Sequence, residues 1–174
     1  MADTFTVISP GTTFALNKCM LGVFNGSGSG KVVRLYRAWL LNNGVTAVTG
    51  VLTNIELRRT TTGSGGSAIT PMPHDSTNAA LPSQLAIATN QSVTTSDLFR
   101  RLVWSNDEAT ANVACTIDEL ETLPQLSQIW DVGYGDLNVE PIVCREGQGV
   151  ALINTGNTSV GSVDVIFEIT VASS

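Results

Sequence analysis

Val160-Gly161-Ser162-Val163-Asp164-Val165-Ile166-Phe167-Glu168-Ile169-Thr170-Val171 alternates more cleanly than any other stretch of this chain. Val163, Val165, Phe167, Ile169 and Val171 fall on one side. Ser162, Asp164, Glu168 and Thr170 fall on the other, where only Ile166 breaks the polar pattern. Successive side chains of a strand point to opposite faces, so this pattern predicts a half-buried β-strand with one wet face. Upstream, Cys144 through Asn154 reads as a second strand entered through Gly147 and Gly149, and Thr155-Gly156-Asn157-Thr158 supplies a turn. The two strands are therefore expected to form a C-terminal hairpin.

The rest of the chain follows the same grammar. Phe5-Thr6-Val7-Ile8 is a short strand stopped by Ser9-Pro10-Gly11, and Cys19 through Phe24 is another apolar stretch. Asn25-Gly26-Ser27-Gly28-Ser29-Gly30 reads as a flexible loop. Lys31 through Leu41 is a strand with Val33, Leu35, Trp39 and Leu41 on one face, and Arg34, Tyr36 and Ala38 on the other. Arg37 then falls on the apolar side, which calls for a bulge or for a guanidinium paired at an interface. After a turn at Asn42-Asn43-Gly44, Val51 through Arg59 alternates with Val51, Ile55 and Leu57 inward, and is expected to neighbour the preceding strand.

From Thr60 to Pro82 periodicity is lost among glycines and prolines, which marks a long exposed loop. Ala86-Ile87-Ala88 fits a strand or a brief helical turn, and Asp97 through Trp104 fits either strand or helix. Ala111 through Ile117 reads as a strand, while Asp118 to Trp130 has room for one short helix limited by Pro124. A glycine-punctuated loop, Asp131 to Asp136, follows. About eight short strands with little helix and no internal repeat describe an all-β, single-domain antiparallel β-sandwich of jelly-roll type with long loops. Its expected parts are an N-terminal arm at residues 1–10 and a sandwich at 11–174 with the long loop at 60–82.

Of the 174 residues, 43% are hydrophobic and 14% charged; the second figure is well under the ordinary quarter. Thr, Ser, Asn, Gln and Gly must then supply most of the polar surface, as suits strand faces that a partner will cover. Nine basic residues and a net charge of −6 argue against nucleic-acid binding, which needs cations for phosphates. The pairs Arg58-Arg59 and Arg100-Arg101 sit beside strand-like segments, where edge protection or ion pairing is expected. Cys19, Cys115 and Cys144 form no CxxC pair and read as buried thiols of a reducing compartment. One disulfide plus one thiol is the other arrangement three cysteines allow. The chain opens acidic and polar and holds no membrane-length apolar segment, so a soluble product made in the cytoplasm is expected.

No motif in the chain offers convincing catalytic chemistry. Gly26 to Lys31 lacks the first glycine of a phosphate loop, has Val32 after the lysine, and runs into a strand where that loop needs a helix. His74, the only histidine, has Asp75 beside it but no matching nucleophile, and reads as an exposed loop residue. Asp118, Glu119, Glu121, Asp131, Asp136 and Glu140 would suit glycoside hydrolysis or a cation. Only Trp104, Trp130 and Tyr134 stand near them as platforms, and no EF-hand pattern occurs. They read as a solvated acidic stretch. No catalytic residue, metal or cofactor is expected.

Val139 through Asn154 resembles the closing strands of small jelly-roll virion proteins of tailed bacteriophages, as does Arg34 through Asn43. The low-charge, Thr/Gly/Asn-rich composition is similar too. The resemblance implies a head-decoration or cement protein: a non-enzymatic virion component, made in the host cytoplasm, that binds the major capsid protein from outside and stabilises the head. It also implies a symmetric homo-oligomer, a trimer or dimer, with no nucleic-acid or membrane partner. Arg34, Arg37, Arg58 and Arg59 are expected to pair with capsid or sister-subunit carboxylates, with Tyr36 and His74 as further interface candidates. The arm and the long loop are expected to touch neighbours. The alternatives are a tail- or fibre-associated component, or a carbohydrate-binding β-sandwich module, which a row of exposed aromatics on one sheet face would distinguish.

Overall fold

The C-terminal alternation is realised as a strand, Ser162–Ser173, whose Val163, Val165, Phe167 and Ile169 are wholly buried. The computed structural model describes residues 2–42, 51–106, 126–133, 140–156 and 161–174. Twelve strands lie among them: β1 (Asp3–Thr13), β2 (Lys18–Asn25), β3 (Lys31–Asn42), β4 (Val51–Ser64), β5 (Ser67–Ala68) and β6 (Met72–Pro73), then β7 (Leu85–Thr89), β8 (Ser92–Asn106), β9 (Leu126–Asp131), β10 (Ile142–Cys144), β11 (Gln148–Asn154) and β12 (Ser162–Ser173). No helix occurs among the described residues.

Two antiparallel sheets divide these strands. The first runs β6-β1-β12-β3, with β9 and β10 both lying along the far side of β3; the second runs β5-β7-β2-β11-β4-β8. Leaving aside the short insertion β5–β7, β1 to β4 alternate between the sheets, β8 stays with β4 in the second, β9 and β10 lie in the first, and β11 and β12 return to the second and the first. The first strand pairs with the last, β2 with β11, β3 with β9 and β10, and β4 with β8. That nesting of four antiparallel pairs is the jelly roll. One apolar core fills the space between the sheets, built on Val7, Leu21, Leu35, Leu57, Leu152 and Phe167, with Trp104 packed on Phe14 at 5.1 Å between ring centroids.

The rolled topology corrects several local expectations. The C-terminal hairpin does not form, because β11 belongs to the second sheet and β12 to the first. Cys144 ends β10, and a turn separates it from β11, so the segment read as one strand is two, in different sheets. Likewise β3 and β4 are not neighbours. Alternation reveals which face of a strand is buried, but both sheets of a sandwich present the same alternation.

Residues 3–13 are not an arm. They form a strand paired with β12 from Asp3–Val171 to Thr13–Ser162, with Phe5 and Val7 in the core. Pro10 and Gly11 do not stop it; they occupy a bulge between Ser9 and Thr12, where Gly11 takes φ 62° and donates its N–H to the Asp164 carboxylate at 2.8 Å. The long loop begins later than expected, since β4 runs to Ser64, and it lends β5 and β6 to the edges of the two sheets. Ala86–Ala88 and Asp97–Trp104, ambiguous in the sequence, are both strand, and Leu126 to Asp131 is strand where helix was allowed. Cys115, the strand expected at 111–117, most of the expected helix, Tyr134, and the turns at 42–44 and 155–158 lie wholly or partly outside the described residues.

Candidate functional site on the outer face of the first sheet

The side chains of greatest interest are arranged by a bulge in β3. Glu168 of β12 lies opposite Arg37 and Ile169 lies opposite Leu35, so Tyr36 is the extra residue. One added residue reverses the phase of a strand. Before the bulge Val33 and Leu35 point inward; after it Ala38 and Leu40 do, all four fully buried. Trp39 and Leu41, expected inward, are therefore on the outer face. Tyr36 and Arg37 both point outward, and the misfit noted at Arg37 is resolved.

Cross-strand register then lays out the face in rows. One row is polar: His74, Thr4, Thr170 and Arg34, with the His74 N–H donating to the Thr4 carbonyl at 2.9 Å. The next carries Thr6, Glu168, Arg37 and Asp131. A third is apolar: Ile8, Ile166 and Trp39. Ile8 is 40% exposed, and its two partners are half-buried.

Arg37 anchors the middle row. Its Nη1 donates to Glu168 at 2.8 Å and its Nε to Asp131 at 3.2 Å, while the guanidinium lies 5.9 Å from the centre of the Trp39 ring. Bonding to Glu168, then to Asp131, holds this arginine more firmly protonated than an ordinary one. Asp131 is itself fixed by the Gly133 N–H at 2.7 Å and the Gln128 amide at 2.8 Å. His74, exposed as expected, shares a hydrogen bond between its Nε2 and the Thr6 hydroxyl at 2.8 Å. Between His74 on one side and Tyr36 with the 132–133 turn on the other runs an open groove whose floor includes Thr4, Thr170 and Glu168.

The remaining two interface candidates lie elsewhere. Arg58 is on the outer face of the second sheet. With Arg101 it clasps Glu56, a carboxylate left 1% exposed. Burial works against that carboxylate's charge, but the two guanidiniums outweigh it and hold its pKa below the usual range. Arg59 closes one end of the sandwich, donating to the Val143 carbonyl at 2.9 Å, pairing with Asp97 at 3.3 Å and covering the Phe99 ring at 5.0 Å. The proposed interface set thus divides: Arg34, Tyr36, Arg37 and His74 share one face, while Arg58 and Arg59 do not reach it. Arg37, Arg58 and Arg59 all have carboxylate partners within the chain.

The glycine loop is held rather than loose. Asn25, fully buried, donates through Nδ2 to the Lys31 carbonyl at 2.7 Å and the Cys144 carbonyl at 3.2 Å, and accepts from Ser29 at 2.6 Å. The N–H groups of Gly28 and Gly30, which a phosphate loop would aim at its ligand, instead donate to the Glu146 carboxylate at 3.1 and 2.7 Å. These bonds hold the Glu146 pKa below the usual carboxylate range. Cys19 and Cys144 are free buried thiols, pushed up to about 11 by desolvation. Of the acidic stretch, Asp131 serves Arg37 and Glu140 is exposed; Asp118, Glu119, Glu121 and Asp136 lie outside the described residues.

Sequence reasoning missed Glu168, Glu56, Asn25 and the outward Trp39. Glu168 and Trp39 become visible only once the bulge and the β12 register are known. No protein-family model matches this chain, and neither a curated protein nor a solved structure is significantly similar to it.

Proposed function

We propose that this chain is a non-enzymatic virion structural protein: a capsid decoration or cement protein that binds the major capsid protein from outside as a symmetric dimer or trimer. The observation that supports this reading most is the outer face of the first sheet. There the half-exposed row Ile8, Ile166 and Trp39 lies beside an arginine, Arg37, already paired with two carboxylates of the same chain. Contact regions that lose water favour aromatic and apolar groups and are depleted of unpaired charge. Arg37 enters such a contact with its partners in place, so covering it leaves no unpaired guanidinium. Tolerably weak contacts suffice when many copies bind one lattice.

The jelly-roll order agrees with the family the sequence resembles, and the low charge of the whole surface agrees with coverage by a partner. The first sheet's outer face replaces the arm as the proposed contact, since residues 3–13 are committed to the sheet. Light scattering and co-sedimentation of the purified protein with assembled capsids of the parent phage test the reading. A discrete oligomer that pellets with capsids and raises their heat resistance is expected, and Ile166→Lys should abolish pelleting while leaving the fold intact. A monomer that stays in the supernatant overturns the proposal.

A further inference from the structure

We propose that Asn25-Gly26 is a latent deamidation site, held closed by the native fold and irreversible once it has reacted. The inference rests on the end of β2 and is independent of the capsid reading.

The pair joins a reactive sequence to a fold that requires both of its members. An Asn that precedes Gly cyclises readily, because no Cβ hinders the glycine nitrogen as it approaches the Asn side-chain carbon. The sequence holds two such pairs, Asn25-Gly26 and Asn43-Gly44, and the second lies outside the described residues. Position 25 needs an amide. Its Nδ2 donates to the Lys31 and Cys144 carbonyls while its Oδ1 accepts from Ser29, and a carboxylate could not donate. Position 26 needs a glycine, since a Cβ there would stand 2.6 Å from the Gln84 carbonyl oxygen. The fold therefore keeps a dipeptide that its own chemistry makes fragile.

In the native chain every participant in the reaction is occupied. The Gly26 N–H donates to the Gln84 carbonyl at 2.9 Å, and the Asn25 carbonyl accepts from the Gly147 N–H at 2.7 Å. Asn25 pairs with Gln148 of β11 on one side and with Leu85 of β7 on the other. Closing the ring requires rotation about the Asn25 Cα–C bond, which would break both pairings. The side chain is also wholly buried, away from the water that completes the reaction.

An opened chain has none of this protection. The Gly26 nitrogen gives its proton to a solvent base and bonds to Asn25 Cγ, and Nδ2 leaves as ammonia. One water then opens the cyclic imide, leaving aspartate or isoaspartate at position 25, with no change of oxidation state. Either product bars the way back. A carboxylate there would face the Lys31 and Cys144 carbonyl oxygens out of reach of solvent. Isoaspartate would add a backbone carbon between the pairings to β7 and β11. Folded chains are thus preserved while chains that linger open are withdrawn from refolding.

Mass spectrometry of the peptide spanning positions 25 and 26 tests the proposal on the full chain, held native or in guanidinium chloride in mildly alkaline buffer. Conversion is expected in denaturant, and more than about a hundredfold slower in the native sample, which reacts only through rare opening. Refolding is then read in a chain carrying Asn43→Gln, so that one Asn-Gly pair remains. The soluble fraction should retain the amide and the aggregate should be enriched in the acid forms. Asn25→Asp, made directly, should lower the thermal midpoint by about 10 °C or more, or fail to fold. The proposal is overturned if the native sample converts as fast as the denatured one, if the denatured sample does not convert, or if Asn25→Asp unfolds at the parent's midpoint. None of these readouts involves capsids, so this proposal and the capsid reading fail independently.

Discussion

Glu56 is a carboxylate with almost no solvent contact on the outer face of a sheet, and its two arginines arrive by different routes. Arg58 is two residues along the same strand, a placement that alternation makes legible in the sequence. Arg101 comes from β8, opposite Glu56 in register, and no local pattern announces it. Because its folded pKa lies below the unfolded value of about 4.3, the stabilisation is fully present above that pH. It is lost as pH falls through the lower folded value. Glu56→Gln should therefore cost about 1–3 kcal/mol at neutral pH, read from urea midpoints. The gap between the variant and the parent protein should narrow steadily below pH 4 or so. An unchanged gap at acid pH would mean that Glu56 does not titrate as the geometry requires. Asn25 makes the complementary case. Its surroundings, rich in glycine and serine, read as a loose loop because composition registers only local freedom. Beside the local bonds to Lys31 and Ser29, the loop is ordered by residues more than a hundred positions away, Cys144 and Glu146. Asn25→Ala leaves two carbonyls without their donor and should cost about 2–4 kcal/mol in a denaturant titration; a cost under half a kcal/mol would show the loop to be held by Glu146 alone.

At the scale of the element, the strand faces were legible and their sheets were not. The inward residues of β12 and the inward Ile55 and Leu57 of β4 follow directly from alternation, and all are buried. β11 hid its place because it is buried on both sides, Gly149 through Asn154 without exception. On its outer side, Cys19, Ala151 and Ile153 are packed by Val93, a contact only the fold creates. In β3 the misplaced Arg37 was the one visible sign of the bulge, and it was a true one. If Tyr36 is simply an inserted residue, removing it restores strict alternation: Leu35 in, Arg37 out, Ala38 in, Trp39 out, Leu40 in. Deletion of Tyr36 should then give a protein that unfolds cooperatively, with a loss near 1–3 kcal/mol. Deletion of Ala38 instead drives Trp39 into the space of an alanine and turns Leu40 outward, and should abolish the transition. Circular dichroism during urea unfolding distinguishes the two. Equal damage from both would show that the bulge is required by the sheet.

At the scale of the whole molecule, the roll makes the two faces unequal and makes the ends of the chain mutual partners. The second sheet covers part of its own outer side with Gln91, Val93 and the Glu56 cluster and leaves Leu98 and Val103 of β8 exposed, whereas the first sheet sets Ile8, Ile166 and Trp39 in one row across three strands. That continuous row is why the contact is assigned to the first sheet. It also explains why an acidic, enzyme-motif-free sequence made the fold class legible but left the site obscure: a site assembled from β1, β3, β6, β12 and the 132–133 turn has no contiguous motif. The same nesting gives the last prediction. Strand β1 lies between β6 and β12 and supplies Phe5 and Val7 to the core. Burying each such side chain is worth about 1.5–3 kcal/mol, and removing the strand also exposes the edge of β12, whose inward face is a continuous apolar row. Against a total stability of about 5–15 kcal/mol for a domain, the loss leaves little margin. A chain lacking residues 1–13 should therefore fail to give a cooperative thermal transition and should aggregate on concentration, as judged by calorimetry and light scattering. Residues that served as a dispensable arm would leave the thermal midpoint where it was, and that outcome would overturn the pairing of the first strand with the last.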